Sequence, residues 1–508
     1  MAKKNFDSEF CGSLPLHNIN QIQPHGYLLV LDQQTLDIIQ VSENIEELMG
    51  INVIDLVNTS FIEYISTEQS EILLSKFKPG FSEKIPLSFN ITCNGKLRQP
   101  HALVQAKNNY LILELEHIKE HKERFFTDVF QEIKYAMAAI ENAGSVQEAC
   151  EIAIYEIKQL SGFDGIMMYR FDSDWNGTVI AEQKIAGMES YLGNTFPASD
   201  IPKQARALYL KNPYRLIPNR VYTPVKLYPV INPVTHTFID LSDCNLRSVA
   251  AVHLEYLKNM KVMASMSVRV IKDGQLWGLI ACHHVTPKYL SYELCSVIEL
   301  LSSVISNKIS GIYNQEEFDK AAYLHQQKAA LIEQVYTEQD IAKGILNMEK
   351  PNLLAMFNAT GAAVINDGQF DTLGNTPGLH YLEDLTLWLE GKKINSVFES
   401  SNLASLYDDA ADYADIASGI LVIPINGDKG NFILCFRPEI IQTIKWGGDP
   451  NQAINFEKNG KAYHPRNSFK LWQQMVKQIA APWTPQELAA AEMFRSFAFE
   501  FQTKQLYN

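Results

Sequence analysis

The chain has 508 residues, of which 46% are hydrophobic and 20% charged, with a formal net charge of -14. That length exceeds what one hydrophobic core supports and implies about three domains, while the ordinary composition excludes a disordered chain. The acidic balance argues against a nucleic-acid partner, which needs a basic face.

The start, Met1-Ala-Lys-Lys-Asn-Phe-Asp7, has basic residues but no apolar run behind them, so it does not read as a secretory signal. No stretch approaches the apolar length of a membrane span. The seven cysteines are scattered without a Cys-x-x-Cys pair. This fits a reducing compartment and places the chain in the cytoplasm, with no membrane partner.

Short strands and turns are predicted from about residue 20 to 115, including Tyr27–Asp32 and Tyr110–Leu115. A charged bridge from Glu116 to Arg124 leads into helical pattern through Ala149. Residues 150–285 mix helices and strands and hold most of the polar residues of interest. From Lys288 to Lys350 there is no proline, and Leu294, Val297, Ile298, Leu301, Val304, Ile305 and Ile312 recur at helical spacing. This predicts one very long helix with an interruption near Gly311. Its apolar stripe needs a partner, and a second copy of the chain is a natural one, so a homodimer is expected. The last third returns to strands, as at Gly419–Pro424 and Asn431–Phe436. Gly447-Gly448-Asp449 reads as a turn.

No Gly-rich phosphate loop, His-Glu-x-x-His or Gly-x-Ser-x-Gly motif is present. Four clusters carry chemistry instead. Cys11 precedes Ile22-Gln-Pro-His-Gly26; a lone cysteine reads first as a surface thiol. In Phe196-Pro-Ala-Ser-Asp-Ile-Pro202 the prolines hold an extended loop, with Pro202 suited to the first turn of the next helix. Asp200 can face a ligand or cap that helix, and the two readings are equally good. The helix carries Arg206 and Tyr209, and Arg215 and Arg220 follow. In Leu246–Tyr256, Ala250, His253 and Tyr256 share a helix face, where a histidine is more often a core residue. In Ser265–Val270 a period of two puts Ser265, Ser267 and Arg269 on one face, and in Leu276–His284 it puts Leu279, Ala281 and His283 together and His284 opposite. Cations, hydroxyls, aromatics and one acid suit a large flat ligand bearing both carboxylates and N–H groups.

These motifs resemble the phytochromes. Phe196–Pro202, Leu246–Met260 and Leu276–His284 match the family's bilin-binding GAF domain in order, and Ile22–Gly26 matches its PAS domain. Trp446-Gly-Gly-Asp-Pro450, Pro465-Arg-Asn-Ser-Phe469 and Pro482-Trp483 resemble the tongue of its PHY domain. The resemblance covers essentially the whole chain. It implies an α+β fold: PAS and GAF domains with antiparallel sheets, flanking helices and an N-terminal knot, then a GAF-like PHY domain with a tongue hairpin, joined by long helices. The implied division is 1–115 for the N-terminal segment and PAS, 116–308 for GAF, and 309–508 for PHY with its tongue at about 440–485.

The resemblance further implies a red/far-red photoreceptor that switches by Z/E isomerisation at the D-ring of biliverdin, held by a thioether to Cys11. Asp200, with Ile201 beside it, would meet the pyrrole N–H groups through its carbonyl and the tongue Arg466 through its carboxylate, with Ser468 in the same signalling motif. His253 would sit against the central pyrroles and His283 would reach the D-ring carbonyl. Arg215, Arg247, Tyr209, Ser265 and Ser267 would hold the propionates, and Tyr169, Phe196 and Tyr256 would pack around the D-ring. Many relatives place the attachment cysteine directly before the histidine of the third cluster. Here that position is Val252, which points to the biliverdin-linking type. No output domain follows in this chain. The resemblance implies that the chain is itself no enzyme, and that it is either a natural output-less sensor or part of a longer protein whose output is a histidine kinase, less often a diguanylate cyclase, reaching a response regulator. The competing reading is a light-insensitive PAS/GAF module that binds another ligand or only dimerises.

Overall fold

The computed structural model describes residues 17–77, 84–93, 95–107, 109–116, 126–449, 454–456, 463–465 and 471–507. Two compact units form, one from residues 1–310 with 445–472 and one from 311–444 with 473–508.

The first unit begins with a seven-stranded antiparallel sheet. Its central strand, Gly26–Asp32, lies between Ile38–Ser42 and Tyr110–Glu116. The strand is apolar on both faces because both faces are covered. Tyr27, Leu29 and Leu31 enter one core with Val41, Leu111 and Leu113. Leu28 and Val30 enter another with Ile22, Leu227, Ile239 and Leu246. Gly26 permits this second contact, since a β-carbon there would lie 2.7 Å from the Leu246 side chain and 2.9 Å from the Leu115 carbonyl.

Residues 17–23 run between two distant stretches of the chain. Leu227 N donates to Asn20 O at 3.2 Å, Leu241 N to His17 O at 3.0 Å and Ser248 N to Gln21 O at 3.0 Å. Gln23 N donates to Leu246 O at 2.7 Å. Residues 17–23 are thus fixed beside the 240–248 loop. Cys11 itself lies outside the described residues.

A second sheet follows. We label its strands β1 (Gly165–Phe171), β2 (Gly177–Lys184), β3 (Thr195–Phe196), β4 (Tyr214–Ile217), β5 (Ala264–Lys272) and β6 (Gln275–His284). Their spatial order is β4-β5-β6-β1-β2-β3, all antiparallel. Trp446 extends the edge by pairing in parallel with Thr195, which is why residues 445–472 join this unit. Gly447 ends that strand, and only Gly448, at φ 103°, is turn-like. The turn predicted at Gly447-Gly448-Asp449 is therefore half strand. Two short helices lie over the sheet, α1 (Lys203–Lys211) and α2 (Ala251–Asn259).

The long helix α3 runs from Tyr292 to Glu338 without a break at Gly311. A single glycine in a helix costs only about 1 kcal/mol relative to alanine, and a β-carbon at Gly311 would meet nothing. The break falls instead at Gln339, at φ 53°, after which Asp340 caps a new helix by accepting from Lys343 N at 3.0 Å. Much of the apolar stripe is satisfied within the chain. Ile298, Leu301 and Ile305 are fully buried, and Ile271 N donates to Ser306 Oγ at 2.9 Å. Leu294, Val297, Val304 and Ile312 stay half-buried, so the chain itself covers part of the stripe.

The second unit holds a five-stranded antiparallel sheet in the order Gln369–Gly374, Gly361–Asn366, Asn431–Arg437, Gly419–Asn426, Phe398–Ser400. Helix α4 (Pro485–Tyr507) packs on it through Ala491, Phe494 and Ala498. Buried Arg437 pairs with buried Glu487 at 2.9 Å, Lys320 meets the same carboxylate oxygen at 2.9 Å, and the Arg437 guanidinium stacks 3.7 Å from the Trp483 ring. Among the described residues, no helix is long and apolar enough to cross a membrane, and no cluster of metal-ligating side chains occurs.

Candidate chromophore site

A cavity of about 610 Å³ opens between the second sheet of the first unit, α1, α2 and the loops joining them. This falls within the ~300–1,000 Å³ typical of small-molecule sites. Tyr169, Phe196, Asp200, Ile201, Tyr209, Arg215, Arg247, His253, Tyr256, Ser265, Ser267 and His283 all line it.

The strands behave as their period of two requires. Ser265 and Ser267 on β5 face the cavity, with Leu279, Ala281 and His283 of β6 beside them. His284 turns the other way and meets Asp164 at 2.8 Å. The loop before α1 forms a 3-10 turn at Ala198–Asp200. Asp200 does not cap α1, which has no side-chain cap. Its carboxylate accepts from the Tyr256 hydroxyl at 3.2 Å. Tyr256 in turn stacks on His253, with ring centres 6.0 Å apart and planes 8° from parallel.

The cationic end is built from Arg215 and Arg247. Arg215 donates to the carbonyls of Asn245 at 3.2 Å, Ser248 at 3.1 Å and Arg247. Among the described residues it has no carboxylate partner. Burial lowers its pKa. Burial, and then repulsion from Arg215, pushes Arg247 down to about 9. Two cations held at a cavity wall favour an anionic ligand. Burial raises the Tyr209 hydroxyl pKa despite the nearby Ser267 and both arginines.

The other end is aromatic. Tyr169 and Phe196 lie 5.6 Å apart, and Tyr191 approaches Phe196 at 5.8 Å. His253 and His283 are each pushed down to about 4, chiefly by burial, with Arg215 repelling the first and His253 the second. Both are neutral imidazoles at pH 7.

Arg206 and Arg220, which follow the same loop in sequence, do not line the cavity. Arg206 donates to the Ile201 carbonyl at 2.7 Å and packs 4.7 Å from the Trp175 ring, so it braces the Asp200 loop from behind. Arg220 donates to Val262 O at 2.8 Å. The sequence reading missed Tyr222, whose hydroxyl meets Ser248 Oγ at 2.9 Å and accepts from Val249 N at 2.8 Å. It missed Gly447, where a β-carbon would lie 2.6 Å from the Phe196 ring. The two adjacent glycines were the signal for a close approach. Arg466 and Ser468 lie outside the described residues.

Comparison with known proteins agrees with this architecture. Residues 11–118 match the PAS fold, 145–309 the GAF domain and 324–505 the phytochrome region. A bacteriophytochrome structure from the photosynthetic bacterium R. palustris is 32% identical, with a TM-score of 0.84 over 97% of this chain and 99% of that one. The Stigmatella aurantiaca phytochrome photosensory core module is 34% identical, with a TM-score of 0.83 over 98% of each chain. The chain belongs to the phytochrome family.

Cyanobacterial phytochrome B of Nostoc sp. is 37% identical over 492 residues, and the phytochrome chain described here spans 65% of its length. This phytochrome has the photosensory architecture of the family, which generally binds bilins. No described cysteine of it lines the cavity. Cys244 is 2% exposed, and burial and Glu114 raise its thiol pKa well above the ordinary value. Cys282 is buried on the face of β6 opposite His283.

Proposed function

We propose that this phytochrome module is a red/far-red photoreceptor that carries biliverdin covalently on Cys11. The observation that carries the reading is one cavity with paired guanidinium groups at one end and a neutral-histidine, aromatic wall at the other. The donor set fits the group: Arg215 meets no carboxylate of the described protein, and Ser265, Ser267 and Tyr209 stand beside it. Ile19 and Gln21 border the cavity. Cys11 lies eight residues before Ile19, a span of up to ~26 Å, so its thiol can reach the ligand.

When bound, biliverdin supplies light absorption and a D-ring that turns about its methine double bond. The protein's part is to hold the propionates with Arg215 and Arg247, to seat the pyrroles against Asp200 and His253, and to bound the D-ring space with Tyr169, Phe196 and Tyr256. His283 donates to a ring carbonyl in this reading. The strand Tyr463–Pro465, just before Arg466, runs beside α2, which supports a contact between Arg466 and Asp200. Such a contact lets a two-state tongue follow the ligand. A homodimer would use the solvent face of α3, where Leu300 is 46% exposed.

The test is absorption. Purified protein mixed with biliverdin should develop a red band that red light shifts and far-red light restores. A spectrum unchanged from free biliverdin would favour the light-insensitive module.

A further inference from the structure

A second cavity lies behind His283. It measures about 160 Å³ and shares Met260 and His283 with the large cavity. Its origin is in the sheet register. His283 stands directly between Ser265 on β5 and Gly165 on β1. Gly165 has no side chain, so the flank of the imidazole on that side is left open. A β-carbon at Gly165 would touch the flexible end of Met188 at 3.0 Å.

The small cavity reaches solvent past Gly187, Glu189 and Lys261, which are exposed. Its wall bears several ionisable groups. The Tyr191 hydroxyl donates to Glu189 at 3.3 Å, and Glu182 accepts from the Tyr191 backbone N–H at 2.8 Å. His283 is 6% exposed, and among the described residues neither of its ring nitrogens has a hydrogen-bond partner. The imidazole therefore forms the partition between a solvent-connected pocket bearing several ionisable groups and the ligand cavity. The titratable groups facing it are His253 across the large cavity, and Glu182, Lys184, Glu189 and Lys261 around the small one.

We propose that the small cavity is a proton port, through which His283 exchanges protons between bulk water and the ligand cavity. One ring nitrogen accepts a proton from the port side while the other releases one into the large cavity. Charge and protons balance, and no redox partner is needed. The neutral form that this relay needs is the one that burial enforces. The proposal rests on the bilin reading of the large cavity.

Two variants test it. Gly165→Ala narrows the port, and the double variant Glu182→Gln, Glu189→Gln keeps its shape but removes its proton-exchanging groups. In the biliverdin-loaded protein, resonance Raman follows the shift of the pyrrole N–H bands on transfer to D2O. In the ligand-free protein, 15N NMR follows solvent exchange of the His283 ring N–H, assigned with His283→Gln. Both rates should fall by about 100-fold in either variant, the lower end of what a positioned proton-transfer group supplies, while the absorption band stays in place. Parent-like exchange in the double variant overturns the port, and this variant decides alone if Gly165→Ala does not fold. Failure of the parent to take up biliverdin overturns the bilin reading, and the ligand-free measurement still decides the port.

Discussion

The Tyr256 hydroxyl and the Asp200 carboxylate meet at 3.2 Å, tying the loop before α1 to the middle of α2 across 56 residues of sequence. Arg206 holds the same loop from the other side through the Ile201 carbonyl. Asp200 is thereby presented from a braced loop.

Tyr256→Phe should keep the ring stack on His253 and lose only this bond. We expect a loss of about 0.5–1.5 kcal/mol in urea unfolding, the usual worth of one hydrogen bond. Biliverdin uptake should persist, while the photoproduct forms in different yield or reverts at a different rate. Photochemistry identical to the parent would show that the Asp200–Tyr256 bond does not tune the switch.

Cys11→Ser should abolish covalent attachment, since no described cysteine lines the cavity. The measurement is zinc-induced bilin fluorescence on a denaturing gel. Fluorescence at parental strength would move the attachment site elsewhere.

The ligand-free protein should lose stability on acidification. His253 and His283 are held at about 4 in the fold, against about 6.5 in an unfolded chain. Between those values the unfolded chain binds more protons, so the stabilisation is fully present above pH 6.5 and is lost as pH falls toward 4. Between pH 7 and pH 5 we expect a loss of about 2 kcal/mol for each histidine and about 4 kcal/mol for the pair, by urea unfolding. His253→Gln with His283→Gln should flatten that slope. A double variant with the parent's slope would assign it to other groups.

Glu487→Ala should be severe. It strands buried Arg437 and removes the partner of Lys320, and breaking a buried pair from one side costs about 3–5 kcal/mol. The Glu487 pKa lies below its ordinary value, where its bonds to Thr484 and Lys320 and the charge of Arg437 outweigh burial. This contribution is present above pH 4.5 and is lost as pH falls through the lowered value. Thermal unfolding of the full chain checks it; a melting temperature equal to the parent's would mean that the Arg437–Trp483 stack suffices.

Part of the site was legible locally. The alternation in Ser265–Val270 and Leu276–His284 dictates which side chains share a face, because a strand's period is fixed by its backbone. The helical spacing of His253 and Tyr256 works the same way. The family motifs then named the ligand class that those faces suit.

Other features were decided only by folding. Local pattern does not separate Arg215, which lines the cavity, from Arg206, which packs on Trp175; only the family resemblance did, because long flexible side chains go where distant carbonyls and rings stand. The stripe of α3 found its cover in the chain's own sheet, because helical spacing states that a face must be buried but not against what. Gly165 became an opening only when the register set it opposite His283. Periodicity belongs to the local backbone, whereas partners belong to contacts between residues far apart in the chain.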